Sequence, residues 1–306
     1  MQADLATFTG VMKAAADPSR LRLLVVCAQG EFTVSELTRI LGQSQPRVSR
    51  HLRTLCNAGL VLRFRERHFV FYRVPARGAV RKLIVALLDG LDPDDATLRQ
   101  DELATSNVRG ERDRRAQEVM AASYPSDSVE PFAKRQISEN ICAHIDLASL
   151  GDLLDIGTGT GRILKLLAPH ARSAVGIDIS SDMLTVARSN MDAAGLGSVM
   201  IRHGDMYRLP YPEDTFHTVT VDSVLSHAES PARALSEAAR ILRPNGQLLV
   251  IEVATEIGES GAVTSDRLRD WVASSGLRLD RSVNVGTEDL GVDLYFIQNA
   301  DDAVAA

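Results

Sequence analysis

The feature that most constrains this chain of 306 residues is a glycine-rich loop that follows a short apolar run. Residues 153–156 have the composition of a buried strand, and Gly157, Gly159 and Gly161 come directly after them. Glycines there allow the backbone to approach a ligand closely, and the amides that open the next helix favour a carboxylate or a phosphate. The pattern therefore predicts an α/β domain with a ligand at the carboxyl ends of its strands.

The region around this loop alternates between strand-like and helical runs. Such alternation predicts a parallel sheet covered by helices on both faces. A further helix at 265–275 and two strands at 277–285 and 293–298 follow, and residues 299–306 are expected to fray. The alternating strands are predicted at 153–156, 174–179, 199–203, 218–221 and 247–253, with helices at 162–167, 182–194 and 231–242.

Charge is divided unevenly along the chain. Residues 1–90 contain 14 Lys and Arg against 6 Asp and Glu, whereas the remainder contains 20 against 34. A basic N-terminal part on an acidic body indicates that the N-terminal part meets a polyanion and the rest does not. No apolar run approaches the roughly 20 residues of a membrane span, and no export signal is recognisable. We therefore expect a cytoplasmic protein with no membrane contact.

The basic part carries the signals of a helix–turn–helix. Thr33 and Glu36 form a capping box that predicts a short helix over 34–41, Gly42 ends it, and Ser44 begins a longer helix that runs to about residue 58. In the longer helix one stripe is apolar and is expected to be buried. The opposite face is cationic and polar, as in a recognition helix, and supplies the candidate DNA-binding residues Gln45, Pro46, Arg47, Ser49, Arg50 and Arg53.

Two strand-like runs, 60–64 and 69–74, follow that helix and flank a polar turn at 65–68. A hairpin with a cationic tip after a recognition helix is typical of a wing. Arg65 and Arg67 are expected to lie along phosphates or in a minor groove, while Ser49 and Arg50 meet base edges in the major groove.

Three stretches of this region, 17–24, 45–52 and 57–61, read Asp-Pro-Ser-Arg-Leu-Arg-Leu-Leu, Gln-Pro-Arg-Val-Ser-Arg-His-Leu and Asn-Ala-Gly-Leu-Val. They resemble the ArsR family of winged-helix repressors over about residues 8–90. The resemblance implies a homodimer on near-palindromic double-stranded operator DNA, with the helix at 78–88 in the dimer interface. Metal-sensing members carry a cysteine pair where residues 31–37 stand here without cysteine, so no metal is expected.

Composition divides the chain into three parts. We predict a winged helix–turn–helix and dimerisation domain at 1–90, a charged, helical linker at 91–130, and a ligand-binding domain at 131–306. Within the linker, residues 102–120 suit one long exposed helix laced with opposite charges. A flexible tether and a semi-rigid helix that transmits motion both fit this composition.

Asp178 ends the second predicted strand, 17 residues beyond Gly161, where a carboxylate can accept both hydroxyls of a ribose. The glycine spacing is G-x-G-x-G, unlike the G-x-G-x-x-G loop that cradles a pyrophosphate. With Gly-Asp-Met at 204–206 and Leu-Arg-Pro-Asn-Gly at 242–246, residues 150–255 resemble the class I S-adenosylmethionine-dependent methyltransferases, a Rossmann-like α/β fold.

That resemblance implies a binding mode for S-adenosylmethionine or S-adenosylhomocysteine. The methionine moiety lies against 157–161, ribose on Asp178, and adenine between Ile179 and Met206 with Asp205 near its amine. The candidate cofactor-binding residues are Asp155, Gly157, Thr158, Gly159, Gly161, Asp178, Ile179, Asp205, Met206, Asp222 and Ser223.

Catalytic residues are less well defined. Methyl transfer to a hydroxyl or carbon acid uses a general base, and His227 and His217 are the candidates, although each also suits a surface or packing role. Residues 252–264 offer little material for an acceptor pocket. The sequence therefore predicts a repressor that senses S-adenosylmethionine or S-adenosylhomocysteine; the alternative is an active small-molecule methyltransferase with an autoregulatory DNA-binding domain.

Overall fold

The computed structural model describes residues 4–66, 68–123, 131–253, 263–285 and 291–299. The chain divides into two compact units. Unit 1 comprises Met1–Ala116 together with Met191–Met200, and unit 2 comprises Gln117–Asn190 and Ile201–Ala306. None of the described helices is both long enough and apolar enough to cross a membrane.

Unit 1 is mainly helical with a small sheet. Its elements are α1 Leu5–Ala15, α2 Pro18–Ala28, β1 Phe32–Thr33, α3 Val34–Leu41, α4 Gln45–Asn57, β2 Leu62–Glu66, β3 Phe69–Arg73, α5 Ala79–Asp89 and α6 Ala96–Ser123, the last of which continues beyond Ala116.

The helix boundaries of unit 1 follow local capping chemistry. Asp17 accepts a hydrogen bond from the Arg20 backbone N–H at the start of α2. The predicted capping box at Thr33 and Glu36 is present at the start of α3. Ser44 occupies the cap position of α4 but makes no side-chain cap hydrogen bond. These local signals place the two helices of the helix–turn–helix where the sequence predicted them.

The wing contains one strand more than predicted. β1 pairs with β3, which pairs with β2, so the sheet has the antiparallel order β1-β3-β2. Arg65 was predicted in the turn, but it lies within β2 opposite Val70, because the strand continues to Glu66. Arg67 lies outside the described residues.

Helix α6 corrects the expectation of an exposed linker helix. A helix is present, but Asp101, Thr105 and Val108 on it are 1%, 0% and 3% exposed. The Asp101 carboxylate pairs with both Nε and Nη2 of Arg22 on α2, at 2.7 and 2.6 Å, and Arg22 also donates to the Leu41 carbonyl at the end of α3. One face of residues 96–116 therefore packs into the core of unit 1, while the rest of the helix is exposed as predicted.

Unit 2 contains a seven-stranded mixed sheet. The strand order is β6-β5-β4-β7-β8-β10-β9; β5, β4, β7 and β8 run parallel, and β10 is antiparallel to both β8 and β9. β10 and β9 thus extend the sheet beyond the parallel part that the alternation predicted, and β10 is the strand that runs against the others.

The elements of unit 2 begin with a helix that precedes the sheet. Both α9 and β6 cross a unit boundary. The elements are α7 Pro131–His144, β4 Asp152–Ile156, α8 Arg162–Leu167, β5 Ser173–Asp178, α9 Ser181–Ala193, β6 Met200–His203, β7 Phe216–Asp222, α10 Pro231–Ile241, β8 Leu242–Val253, α11 Ser265–Ser274, β9 Leu277–Asn284 and β10 Val292–Asn299.

The buried ion pair between α2 and α6 generates a stability prediction. Asp101→Asn removes the charge that compensates the largely buried Arg22 guanidinium, so we expect the free energy of unfolding to fall by about 3 kcal/mol. Urea unfolding followed by circular dichroism measures it. The matched control is Asp94→Asn, which breaks an exposed pair with Arg99 and should cost less than about 0.5 kcal/mol. Equal losses for the two variants would contradict the assignment of α6 to the core.

Candidate functional site

A cavity of about 650 Å³ opens at the carboxyl ends of the central parallel strands. This is the edge at which an α/β sheet binds its ligands. The cavity collects most of the predicted cofactor-binding residues: Gly157, Gly159, Asp178, Ile179, Asp205, Met206, Asp222 and Ser223, together with His227. Asp155, Thr158 and Gly161 are not among the lining residues.

The glycine loop takes a backbone course that other residues resist. Gly157, Gly159 and Gly161 all have positive φ, of 66°, 52° and 81°. A Cβ added at Gly157 would lie 2.3 Å from a methyl carbon of Val224, which lines the same cavity. A side chain would therefore be strained at all three positions and obstructed at Gly157, and its absence leaves the backbone open to a ligand.

Asp178 holds the loop in this conformation. One carboxylate oxygen accepts a hydrogen bond from the Gly159 N–H at 2.8 Å, and the other accepts from the Ser180 N–H at 2.7 Å. An ionised carboxylate has about four acceptor positions, so each oxygen retains a lone pair for a ligand hydroxyl. Asp178 is thus at once a ligand contact candidate and the residue that orders the loop.

Arg162 contacts the cavity residue Asp222 and was not singled out by the sequence reasoning, although its own side chain is not among those that line the cavity. It stands first in α8, directly after Gly161, and its guanidinium donates two hydrogen bonds to one Asp222 oxygen, at 3.2 and 2.7 Å. A cation and an anion beside the glycine loop match the carboxylate and ammonium of an amino acid. The signal in the sequence was an arginine in the first turn of the helix after the loop.

The opposite wall of the cavity is formed around residues 204–207. Asp205 is exposed and accepts a hydrogen bond from the Tyr207 N–H at 2.9 Å, which closes a short turn. Ile179 is 65% exposed, which is a high value for an isoleucine. An apolar face of a ligand in the cavity would cover this side chain. Tyr207 and Met183 also line the cavity and were not predicted.

The candidate DNA-binding face lies on unit 1. Val48, Leu52 and Leu55 of α4 are buried, as the apolar stripe predicted. The remaining predicted residues of α4 face outward: Gln45, Pro46, Arg47, Arg50 and Arg53 are exposed, Ser49 is partly exposed, and Arg65 on the wing is exposed.

Two family models match the chain. Residues 17–62 match "Bacterial regulatory protein, arsR family", and residues 154–250 match "Methyltransferase domain". A phosphatidylethanolamine N-methyltransferase of Cereibacter sphaeroides is 32% identical over 139 residues, which are 44% of this chain and 68% of that protein. The chain therefore belongs to the class I S-adenosylmethionine-dependent methyltransferases and carries an ArsR-family helix–turn–helix.

Other relatives match over shorter parts of their length. A demethylmenaquinone methyltransferase of Thermus thermophilus is 36% identical over 102 residues, covering 33% of this chain and 46% of that protein. The crystal structure of an S-adenosylmethionine-dependent methyltransferase from Aquifex aeolicus is 19% identical, with a TM-score of 0.49, over 60% of this chain and 97% of that one. Several of the curated relatives are matched over less than half of their length.

Asp155 lies inside the methyltransferase sheet, at 1% exposure, and accepts a hydrogen bond from the Thr220 hydroxyl at 2.6 Å. Burial raises the pKa of this carboxyl to about 7. Thr158 is also buried, and its N–H donates to the Ile177 carbonyl at 2.9 Å. Asp155 and Thr158 therefore support the loop from beneath, and Gly161 caps α8.

Glu252 is a second residue that sequence reasoning missed. It lies on β8 at 3% exposure, and its carboxylate accepts a hydrogen bond from the Leu225 N–H at 3.1 Å. Burial raises the pKa of Glu252 to about 7. This contact fixes the turn after β7, which carries Ser223 and His227 to the cavity of the methyltransferase domain.

The two candidate bases fall at opposite ends of β7. His227 lies beyond its carboxyl end, is exposed, and is 3.0 Å from the Ser226 hydroxyl through Nδ1. His217 is at the amino end, where its Nδ1 accepts from the Asp152 N–H at 3.3 Å. Of the two predicted bases, His227 therefore lines the cavity and His217 does not. No group of three His, Cys, Asp or Glu suited to a metal occurs in the described ranges.

The raised pKa of Asp155 generates a pH prediction for the methyltransferase domain. A carboxyl whose pKa is higher in the folded than in the unfolded chain stabilises the fold at low pH, and this contribution is lost as pH rises from about 4 to about 7. Asp155→Asn keeps the shape but removes the titration. The difference in unfolding free energy, wild type minus variant, should therefore fall by an amount on the order of 4 kcal/mol between pH 4 and pH 8. A difference independent of pH, in urea titrations across this range, would contradict it.

Proposed function

We propose that this protein is a DNA-binding repressor whose methyltransferase domain binds S-adenosylmethionine or S-adenosylhomocysteine as an effector. The observation that carries the proposal is the presence of two separate binding surfaces on one chain: the exposed cationic face of α4 and a nucleoside-sized cavity lined by the glycine loop. A ligand that binds the DNA-competent and DNA-incompetent states unequally shifts the balance between them.

Residues that line the cavity, and Arg162 beside it, suit the parts of an adenosyl amino acid. Asp178 offers oxygen lone pairs to ribose hydroxyls, and the exposed Ile179 with Met206 offers apolar surface to a purine. Arg162 and Asp222 offer opposite charges to a carboxylate and an ammonium group. Gly157 has no side chain to collide with Val224, so its backbone lines the cavity where the sulfur-linked chain would lie between these parts.

The DNA-binding half of the proposal rests on charge and exposure. Arg50 and Arg53 are exposed on α4, and Arg63 and Arg65 are exposed on the wing. We assign Arg50 and Ser49 to base edges and the wing arginines to phosphates. Exposed apolar side chains on α1 and α5, Leu5 and Val85 among them, supply a surface for a homodimer on a two-fold operator. Operator DNA and the nucleoside ligand would meet in the cytoplasm.

A second function is favoured by the curated relatives, whose names include methyltransferases. In this alternative the domain transfers the methyl group to a small molecule, and the winged helix regulates its own gene. His227 in the cavity is then the general base, with the neighbouring Ser226 hydroxyl holding its ring. Radiolabelled S-adenosylmethionine incubated with a metabolite pool tests it: labelled product that His227→Ala diminishes supports turnover, and no product across the pool argues against it.

The effector function makes the first prediction of this section. Operator duplex, enriched from a random pool by affinity, is titrated in fluorescence anisotropy at fixed salt with and without each ligand. We expect its dissociation constant to change at least about fivefold in wild type. Asp178→Ala removes a ligand contact and the Gly159 anchor, so it should abolish the change. Asp270→Ala, an exposed acid on α11, is the control and should behave as wild type. Unchanged operator affinity in wild type with both ligands would refute the effector function.

The DNA contacts make a separate prediction. Arg50→Ala should weaken binding to the enriched operator by about 1–3 kcal/mol more than binding to random duplex, because a bidentate base contact is lost. Arg65→Ala should weaken binding to both duplexes equally. It should also reduce, by about 1, the slope of the logarithm of the binding constant against the logarithm of the salt concentration. Arg278→Ala, on β9 of unit 2, is the charge-matched control and should change neither. If Arg50→Ala weakened binding to the two duplexes equally, Arg50 would not read a base.

A further inference from the structure

Helix α9 connects the ligand cavity to unit 1 within one continuous helix. Asp182 and Met183, at its start, line the cavity of unit 2. Its last residues belong to unit 1, which includes Met191–Met200. Thirteen helical residues span roughly 20 Å.

The helix is also tied to the glycine loop near its far end. The Asn190 side-chain amide donates a hydrogen bond to the Thr160 carbonyl at 2.8 Å. The next residue but one is Asp192, which is already part of unit 1. α9 therefore touches the cavity at its start, through Met183, and the glycine loop two residues before Asp192.

Asp192 is held by a buried arginine of α6. Its carboxylate accepts from Nη1 of Arg112 at 3.0 Å, and its side chain is 10% exposed. The same guanidinium donates to both carboxylate oxygens of Glu36, at 2.8 and 2.9 Å, and to the Glu31 carbonyl at 2.7 Å. Its centre lies 5.0 Å from the Phe32 ring centroid. Arg112 thus joins two carboxylates that are distant in sequence.

Glu36 carries this contact into the helix–turn–helix. It is the third residue of α3 and completes the capping box, accepting from the Thr33 N–H at 2.7 Å. Burial opposes its ionisation, but Arg112 and Thr33 outweigh that effect and hold the pKa of Glu36 below its usual value. The carboxylate therefore stays charged, bridging Arg112 and the start of the helix that supports α4.

The wing strand β3 meets the same segment independently. Arg73, at 3% exposure, donates to the Ser198 carbonyl at 2.7 Å and to the Val199 carbonyl at 3.4 Å. A Cβ on Gly197 would lie 2.0 Å from the Gln29 carbonyl oxygen, so the backbones pack without room for a side chain. Residues 191–200 are thus held by Arg112 on α6, by Arg73 on the wing strand β3 and by the close approach of Gln29.

We propose that the Asp192–Arg112–Glu36 bridge couples occupancy of the ligand cavity to the conformation of the helix–turn–helix. The inference rests on the proposed effector function and names the residues through which it acts. Ligand-induced ordering of the glycine loop shifts α9 along its axis, Asp192 moves with it, and Arg112 passes the change to the start of α3.

The test separates coupling from binding. Asp192→Asn should leave the dissociation constants for S-adenosylhomocysteine alone and for operator alone within about twofold of wild type. The ligand-induced change in operator affinity should fall from at least about fivefold to less than about twofold. Hydrogen–deuterium exchange supplies a second readout. We expect the ligand to change the exchange rates of amides 34–41 in wild type, and this change should disappear in Asp192→Asn. Full retention of both effects in Asp192→Asn overturns the inference.

Two further variants control the experiment. Glu111→Gln breaks the exposed pair with Arg39, which also joins α6 to α3, and should retain the full ligand effect. Asp192→Glu keeps the charge and should restore coupling; if coupling stays lost in Asp192→Glu although both ligands bind, the bridge is not the carrier. A wild-type protein that binds both ligands but shows no mutual effect refutes the proposed function itself, and the inference with it.

Discussion

The Arg112 guanidinium is the interaction on which unit 1 depends. A largely buried cation must be paired, and here the groups that accept from Arg112 come from two stretches of chain: Glu31 and Glu36 in one, and Asp192 in the other. Because each of these residues is 76 to 81 positions from Arg112 in sequence, one side chain of α6 fixes the start of α3 and the end of α9 together. The first part of α6, which the composition assigns to a linker, is thereby held in the unit that contains the helix–turn–helix.

In unit 2 the corresponding role belongs to Asp178. Its carboxylate binds the backbone on both sides of the cavity mouth, at Gly159 and Ser180, and so shapes the site in which a nucleoside would bind. Beneath it, the buried carboxyl of Asp155 and the turn held by Glu252 set the positions of the loop and of His227. The cavity is thus shaped by carboxylates that accept hydrogen bonds from the protein's own groups, mainly backbone N–H groups.

Features with a local cause were predictable. The capping box at Thr33, the apolar stripe of α4 and the glycine loop each depend on neighbours within a few residues, and the sheet around the loop follows from alternation. Features that depend on remote partners were not. The many charged residues of α6 suggested that it is exposed to solvent, because nothing near Asp101 in the sequence indicates that it pairs with Arg22.

Register and strand direction explain the other differences. Arg65 entered β2 because the hairpin is tighter by one or two residues than its turn signals suggest. His217 lies at the amino end of β7, and in a parallel sheet that edge is the one away from the ligand. That exclusion was available from the sequence, since the strand and its direction were both predicted. Arg162 and Glu252, by contrast, gain their roles only through partners 60 and 27 residues away.

The central claim is that ligand and operator bind to one coupled system, and calorimetry tests it most directly. S-adenosylmethionine and S-adenosylhomocysteine are each titrated into the protein, free and bound to its enriched operator, at one salt concentration. Linkage requires the ratio of the two ligand dissociation constants to equal the ratio of operator dissociation constants measured with and without that ligand. The account predicts a ratio of at least about fivefold for one of the two ligands. Identical dissociation constants with and without operator, for both ligands, would contradict it.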